Sequence, residues 1–168
     1  MQVWKKILVS MAIFTVILFT FLIWYKLTYT MAVAESFSVT VENPKNQILI
    51  ATQGSEYKDS VVEEVIKKFA NKPANIEVID VTAVGNYEAS DWDAIVLIHT
   101  WEQWQPQPDA EKFIKANLER NNIVVLTTSG DGSMKMEHVD AITSASVLSQ
   151  TRAHADMIVQ RVNKILSQ

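Results

Sequence analysis

The stretch "DAIVLIHTWEQWQPQPDA", Asp93 to Ala110, decides how the rest of the chain is read. Ala94 to Ile98 is an unbroken apolar run, so a strand there must be buried on both faces. That belongs to the middle of a parallel sheet covered by helices on two sides, because half-wet antiparallel strands alternate instead. His99, Thr100 and Trp101 follow at once, and then Trp104 among glutamines and prolines. Two of the chain's five tryptophans thus stand in a polar loop where a strand has just ended.

Two further runs share the pattern of the first. "QILIAT" (47–52) and "NIVVLTT" (122–128) are apolar on both faces and rich in β-branched residues. "IEVIDV" (76–81) carries Glu77 and Asp80, and "VDAIT" (139–143) is short, so both are expected at the sheet's edges. Helical periodicity fills the intervals. In "SVVEEVIKKFA" (60–70), Val62, Val65, Ile66 and Phe69 share one stripe, and Ser60 with Glu63 forms a capping box. "DAEKFIKANLER" (109–120) and "TRAHADMIVQRVNKIL" (151–166) are the other helices. The connections 83–92 and 129–139 are too short for a full crossover helix, which needs about a dozen residues. Strands alternating with helices imply an α/β domain over 47–168, a doubly wound parallel sheet of five strands in the order 2-1-3-4-5. Ligands in such sheets bind at the carboxyl ends of the strands, where the chain reverses direction between strands 1 and 3.

Ahead of this domain lies "ILVSMAIFTVILFTFLIWY", Ile7 to Tyr25, with no charge in it. As a helix it spans about 28 Å, close to the hydrocarbon thickness of a bilayer. Trp4 at one end and Trp24 and Tyr25 at the other suit the two interfaces. The segment 1–26 is read as a single-pass anchor in the lipid bilayer. Lys5, Lys6 and the start amine precede the run and Lys26 follows it, which places the N-terminus in the cytoplasm and the domain outside. "AVA" (32–34) resembles a signal-peptidase site, but the apolar run is longer than a usual signal core and ends several residues earlier. Residues 27–46 read as a linker, ended by Asn43-Pro44; the alternation of "SFSVTV" inside it admits a stray strand, but extended linker is the favoured reading.

Composition removes several classes of function. The net charge is −4, so a non-specific nucleic-acid partner is not expected. There is no cysteine, which excludes disulfides and thiolate chemistry. His99, His138 and His154 lack the spacing of a metal site, and none is expected. "TQGSEYKDS" (52–60) lacks the Gly-Lys-Ser/Thr ending of a nucleotide-binding P-loop. A triad of Ser129, His99 and Asp131 would need a nucleophile elbow that the sequence does not show.

The three loops at the expected carboxyl edge are "TQGSEYKDS", "HTWEQWQPQP" (99–108) and "TTSGDGSMK" (127–135). With these residues the chain resembles the flavodoxin-like family over Gln47 to Gln168. The resemblance implies a non-covalent FMN. Its phosphate would lie against the first loop, where Thr52, Gly54, Ser55 and Ser60 offer donors and Lys58 a charge. The helix N-terminus there favours an anion, although Glu56, Asp59 and Glu63 oppose one. The loop lacks the family's hydroxyl-rich Gly-Asn-Thr stretch. Thr100 and Trp101 stand where the family packs an aromatic ring on the isoalloxazine, and Trp104 flanks them. Ser129, Gly130, Asp131 and Gly132 match the Gly-Asp-rich loop that meets the pyrimidine edge. Tyr57 and Tyr87 are weaker stacking candidates. "VDAITSAS" (139–146) is similar to the motif that a flavin transferase modifies in exported FMN domains, but Ser144 replaces its glycine and Ser146 its acceptor threonine, so no covalent flavin is expected.

These features lead to a membrane-anchored flavoprotein that passes electrons. The flavin would carry the redox chemistry, and Glu102, Asp131 and Glu137 would disfavour its anionic reduced form. The alternative is a cofactor-free, membrane-anchored binding or scaffold domain that uses the tryptophan rim for a partner.

Overall fold

The structure is a computed structural model that describes residues 2–29 and 31–168, with side chains at 3–25 and 31–168. The expected Lys26 flank and start amine lie outside these described side chains. The chain divides into two compact units, Met1–Met31 and Ala32–Gln168.

The first unit is one helix, α1 (Gln2–Tyr29), which is long and apolar enough to cross a membrane. From Val3 to Tyr25 every side chain is exposed. A helix that is apolar all round suits an apolar surrounding such as a bilayer. Phe21 lies against both Trp24 (centroids 5.8 Å apart) and Tyr25 (6.3 Å) at the far end.

The second unit is α/β with a mostly parallel sheet. Its strands are β1 (Phe37–Val39), β2 (Asn46–Thr52), β3 (Ala74–Asp80), β4 (Ala94–Glu102), β5 (Gln105–Pro106), β6 (Ile123–Thr128) and β7 (Ala141–Ser144). They run in the order β1-β3-β2-β4-β6-β7, with β5 paired to β4. The expected five-stranded sheet is therefore not what the chain forms. β2, β4 and β6 are parallel neighbours, as are β2 with β3 and β6 with β7. Two antiparallel additions make seven. β5 doubles back on the end of β4, with Trp101 opposite Pro106 and Glu102 opposite Gln105. β1 lines the outer side of β3, with Phe37 opposite Val78 and Val39 opposite Ile76.

β1 comes from the segment read as a linker. Residues 32–46 are docked on the domain, so the folded unit begins before Gln47. The Gly54 amide donates to the Ala32 carbonyl at 2.7 Å, and the Ala34 amide donates to Asp80 Oδ2 at 2.7 Å. An isolated edge strand exposes a row of unpaired backbone groups, and β1 covers those of β3. The alternation of "SFSVTV" admits this strand, but not its partner, and the linker reading is corrected accordingly.

Both faces of the sheet are covered. On one, Ile48, Ile50, Val96, Ile98 and Leu126 pack with α2 (Glu56–Phe69) and α4 (Thr151–Leu166). On the other, Leu49, Ala51, Ile95, Leu97 and Val125 pack with α3 (Pro108–Ala116) and the 3-10 segment Val81–Asn86. Burying each such aliphatic side chain contributes about 1.5–3 kcal/mol relative to exposure. The two short connections indeed lack a full helix. The first folds into 3-10 turns, and in the second Met136 and Val139 pack on the sheet.

The start of α2 differs from expectation. Ser55 is its N-cap, with Oγ accepting from the Lys58 amide at 3.2 Å, while Ser60 lies inside the helix. Glu56 and Asp59 then occupy the first turn, where the helix dipole favours negative charge. The earlier start brings Tyr57 and Lys58 into the helix on its buried side.

Candidate functional site

β2, β4 and β6 deliver three loops to one edge of the sheet. At the end of β4 the chain turns within two residues. Gln103 (φ 51°) and Trp104 (φ 66°) are both left-handed, the pattern of a type I′ hairpin. Asparagine and glycine are the usual residues of such a turn. Here a tryptophan takes the second place and is 78% exposed. Trp101, by contrast, is half-buried in the strand, and its Nε1 is inaccessible and unpartnered.

Polar links tie the ends of β2, β4 and β6 together. Gln53 Oε1 accepts from the Thr100 amide at 2.7 Å, and Gln53 Nε2 donates to Glu102 Oε1 at 3.1 Å. The Thr100 and Thr128 hydroxyls are 2.8 Å apart. Thr52 is buried and donates to the Gln53 carbonyl.

Near this network several buried polar atoms have no partner among the described residues. Lys58 is 0% exposed, and its Nζ has no hydrogen bond. Burial lowers its pKa to about 8, against the opposing influence of the Glu102 and Asp59 charges. His99 is 1% exposed, and neither ring nitrogen has a partner. Burial lowers its pKa to about 4; the Thr100 backbone opposes this without meeting hydrogen-bond geometry, and the Lys58 charge adds to it. Thr127 pairs with His99 across β4 and β6, and its buried hydroxyl is also unpartnered. Buried polar groups are normally satisfied, so each of these calls for a ligand or for water; by strand alternation His99 and Thr127 lie on the α3 side of the sheet, while Lys58 comes from α2 on the other side.

The third loop is held by its own residues. Asp131 accepts from Ser129 Oγ (2.9 Å), the Ser133 amide (3.0 Å) and Ser133 Oγ (2.6 Å). The two Ser133 bonds lead in lowering its pKa to about 2. The Ser129 amide donates to the Ser144 carbonyl at 3.1 Å. Gly132 has φ 73°, and a Cβ there would lie 2.6 Å from the Ala145 amide nitrogen, so only glycine fits. Gly130 is open, with nothing near its Cβ position. Ser129 and Asp131 are thus bonded to each other, while His99 stands apart from both, so no triad forms.

The first loop does not fit a phosphate cradle. The Gly54 amide is already bonded to Ala32, and its Cβ position lies 2.8 Å from the Val33 carbonyl oxygen. Ser55 Oγ accepts the Lys58 amide, and Ser60 is a turn further along α2. A cavity of about 450 Å³ does adjoin Thr52, Gly54 and Ser55, but Glu35, Asp59 and Glu63 also line it. Those carboxylates repel a phosphate. Tyr57 and Tyr87 present no stacking face at the edge: their hydroxyls bond His154 Nδ1 (2.8 Å) and Glu77 Oε1 (2.8 Å) respectively.

Comparison of the sequence with known protein families and with curated proteins finds no match.

Of the residues expected at the site, Lys58, Thr100, Trp101 and the 129–132 loop do gather at the carboxyl ends of the strands. Ser60 does not, and Trp104 projects away from them into solvent. Gln53, Glu102 and Thr127 were not among the expected binding residues. Their one sequence signal is position: each is polar and lies at or just past the end of an apolar strand.

Proposed function

We propose that the chain is a single-pass membrane protein whose α/β domain is a binding module working without a flavin. The domain lies outside the cytoplasm, as Lys5 and Lys6, ahead of the uncharged run in α1, direct. The observation that carries this reading is the β4–β5 hairpin. Left-handed backbone costs a non-glycine residue about 1–2 kcal/mol. The hairpin accepts that strain at Trp104 while leaving the indole exposed. Strain held at an exposed aromatic residue suits display to a partner, where tryptophan is a frequent anchor. The first loop supports the same reading, because the chain's own residues 32–34 occupy the approach to Gly54.

The competing proposal is an FMN-dependent electron carrier of flavodoxin-like, doubly wound fold. Thr100 and Trp101 favour it, since they stand at the end of β4 between the ends of β2 and β6. One experiment separates the two. Full-length protein purified in detergent is titrated with FMN while flavin fluorescence is followed. The binding-module reading expects a colourless protein and no quenching up to about 100 μM FMN. Quenching that saturates below this, and weakens about tenfold in Trp101→Ala, establishes the flavin reading instead. A photoreactive residue at position 104 in native membranes should then give a discrete cross-linked species that the same residue at position 115 does not. Diffuse labelling alike at both positions rejects the hairpin as a contact surface. Alkaline phosphatase fused after Gln168 should be active; an inactive fusion reverses the orientation.

A further inference from the structure

The docked segment ahead of β1 carries a pattern that packing alone does not require. "AVA" (32–34) places small residues three and one before a peptide bond, as an enzyme of the signal-peptidase type reads them. Packing accounts for Ala34, which is 7% exposed. It does not account for Ala32, which is exposed and free to be larger.

The bond that such an enzyme cuts is Ala34–Glu35. A bound peptide in extended form pairs its backbone groups with its receptor, and a protease needs them free. Here they are taken on both sides of the bond. Upstream, the Ala32 carbonyl accepts from the Gly54 amide at 2.7 Å, and the two residues form an antiparallel bridge. The Ala34 amide donates to Asp80 Oδ2 at 2.7 Å. Downstream, Phe37–Val39 is already paired with β3 as β1. Val33 and Glu35 have exposed side chains, so the pinned backbone, not depth, protects the bond. The seat is nevertheless incompletely packed. A cavity of about 450 Å³ lies along it, lined also by Phe37, Val62 and Val78. A segment held by a few hydrogen bonds over a cavity opens at lower cost than the core.

We propose that Ala34–Glu35 is a processing bond masked by the domain's own fold. A chain with residues 32–34 docked keeps its anchor, and one in which they lift off is cut and releases the domain. The step is hydrolysis: water adds across the Ala34–Glu35 bond, leaving a carboxylate on Ala34 and an amine on Glu35. The proposal rests on the extracytoplasmic placement of the domain given above, because an enzyme of this type acts on that side.

The test follows the full-length chain, tagged after Gln168, in the membrane and soluble fractions of cells, with N-terminal sequencing of each tagged species. Wild type should stay uncut in the membrane. Asp80→Ala removes the acceptor of the Ala34 amide. Gly54→Ala sets a methyl group about 2.8 Å from the Val33 carbonyl oxygen and 3.1 Å from that of Ala32, so the segment must move. Each variant should release a fragment beginning at Glu35 at least about tenfold faster, since cleavage of an open state tracks its population. Adding Ala32→Phe to either variant should abolish that fragment, because it spoils the small-residue pattern without restoring the docking. If Asp80→Ala does not fold, Gly54→Ala decides. No fragment from either variant, with the phosphatase fusion active, overturns the masking and leaves the placement standing. No fragment and an inactive fusion overturn both. Wild type cut as fast as the variants shows a bond that is not masked. A fragment that persists with Ala32→Phe shows only general proteolysis of a weakened domain, and that also overturns the proposal.

Discussion

From Ala94 to Ile98, β4 is apolar on both faces and every side chain is buried against a helix layer. From His99 to Glu102 the same strand holds an imidazole and an indole nitrogen without partners, and a carboxylate held by a neighbour's amide. The first half gains stability from burial alone. The second half gives up stability by enclosing polar groups that no described residue satisfies. The amino end of the sheet shows how such groups are usually treated. There Asn122 Nδ2 donates to the carbonyls of Ala89 and Trp92, and Asp93 accepts the Gln47 amide at 2.7 Å. Among the described residues, Asn122 Oδ1 alone stays buried and unpartnered at that end, whereas Lys58 Nζ, both ring nitrogens of His99, Trp101 Nε1 and Thr127 Oγ1 do so towards the carboxyl end, where open α/β sheets carry their sites.

The contrast is sharpest under substitution. Leu97→Ala removes a fully buried side chain from the middle of β4 and should cost about 2–5 kcal/mol, read as the free energy of chemical unfolding. Lys58→Met, equally buried, should cost nothing or stabilise the protein, because it removes an enclosed charge and keeps most of the side-chain volume. If both variants lose stability alike, the two halves of β4 do not differ in kind.

Titration probes the same difference. The folded pKa of Lys58 lies near 8, below its ordinary 10.5, so between these values the unfolded chain binds more protons. Stability should then rise from pH 8 to 10.5, by about 3 kcal/mol at most. His99 acts in the same sense at lower pH. Its folded pKa is near 4 against an ordinary 6.5, so stability falls as pH drops from 6.5 towards 4. Unfolding free energies across both windows, with Lys58→Met and His99→Gln as controls, should lose the rise in one variant and the fall in the other. Flat profiles in the wild type would mean that both groups are solvated.

How much of this the sequence could show depended on whether a signal was local. The uncharged run from Ile7 to Tyr25 and the doubly apolar strands are local patterns, and each marks an element found in the structure. The edge strand β1 is not local. Its pairing with β3 depends on the need to cover β3, and "SFSVTV" is too short to announce that need. The hairpin at Gln103 and Trp104 broke the usual turn chemistry, so a two-residue turn could not be read from it. In the sequence Lys58 reads only as a charge for a phosphate, and the earlier start of α2, capped at Ser55, explains why its side chain is enclosed.

The docked segment 32–34 gives a third, smaller test, now between the linker reading and the folded one. Asp80 accepts from the Ala34 amide, the Thr82 amide (2.9 Å) and Thr82 Oγ1. Asp80→Ala should cost about 1–3 kcal/mol by leaving buried donors unsatisfied and uncapping the 3-10 segment that follows β3. Residues 32–34 should also become more susceptible to limited proteolysis. A wild-type chain already cut there, with Glu35 as its mature N-terminus, would show instead that the small-residue run serves signal peptidase.

The smallest expected effect separates the two tryptophans. Trp104 is exposed and strained, so Trp104→Gly removes left-handed strain without opening a cavity. The turn becomes Gln-Gly, closer to the preferred type I′ chemistry. Against this, glycine adds freedom to the unfolded chain, worth about 0.4–1 kcal/mol in the opposite sense. The two effects nearly cancel, and the net change should be within about 1 kcal/mol and favourable if anything. Trp101→Gly, four residues before Gln105 and half-buried opposite Pro106, has no strain to relieve and should lose about 2 kcal/mol or more. Unfolding of the two variants side by side makes the comparison. If Trp104→Gly is as damaging as Trp101→Gly, the indole at 104 is packed in solution, and the display of that side chain can no longer support the binding-module reading.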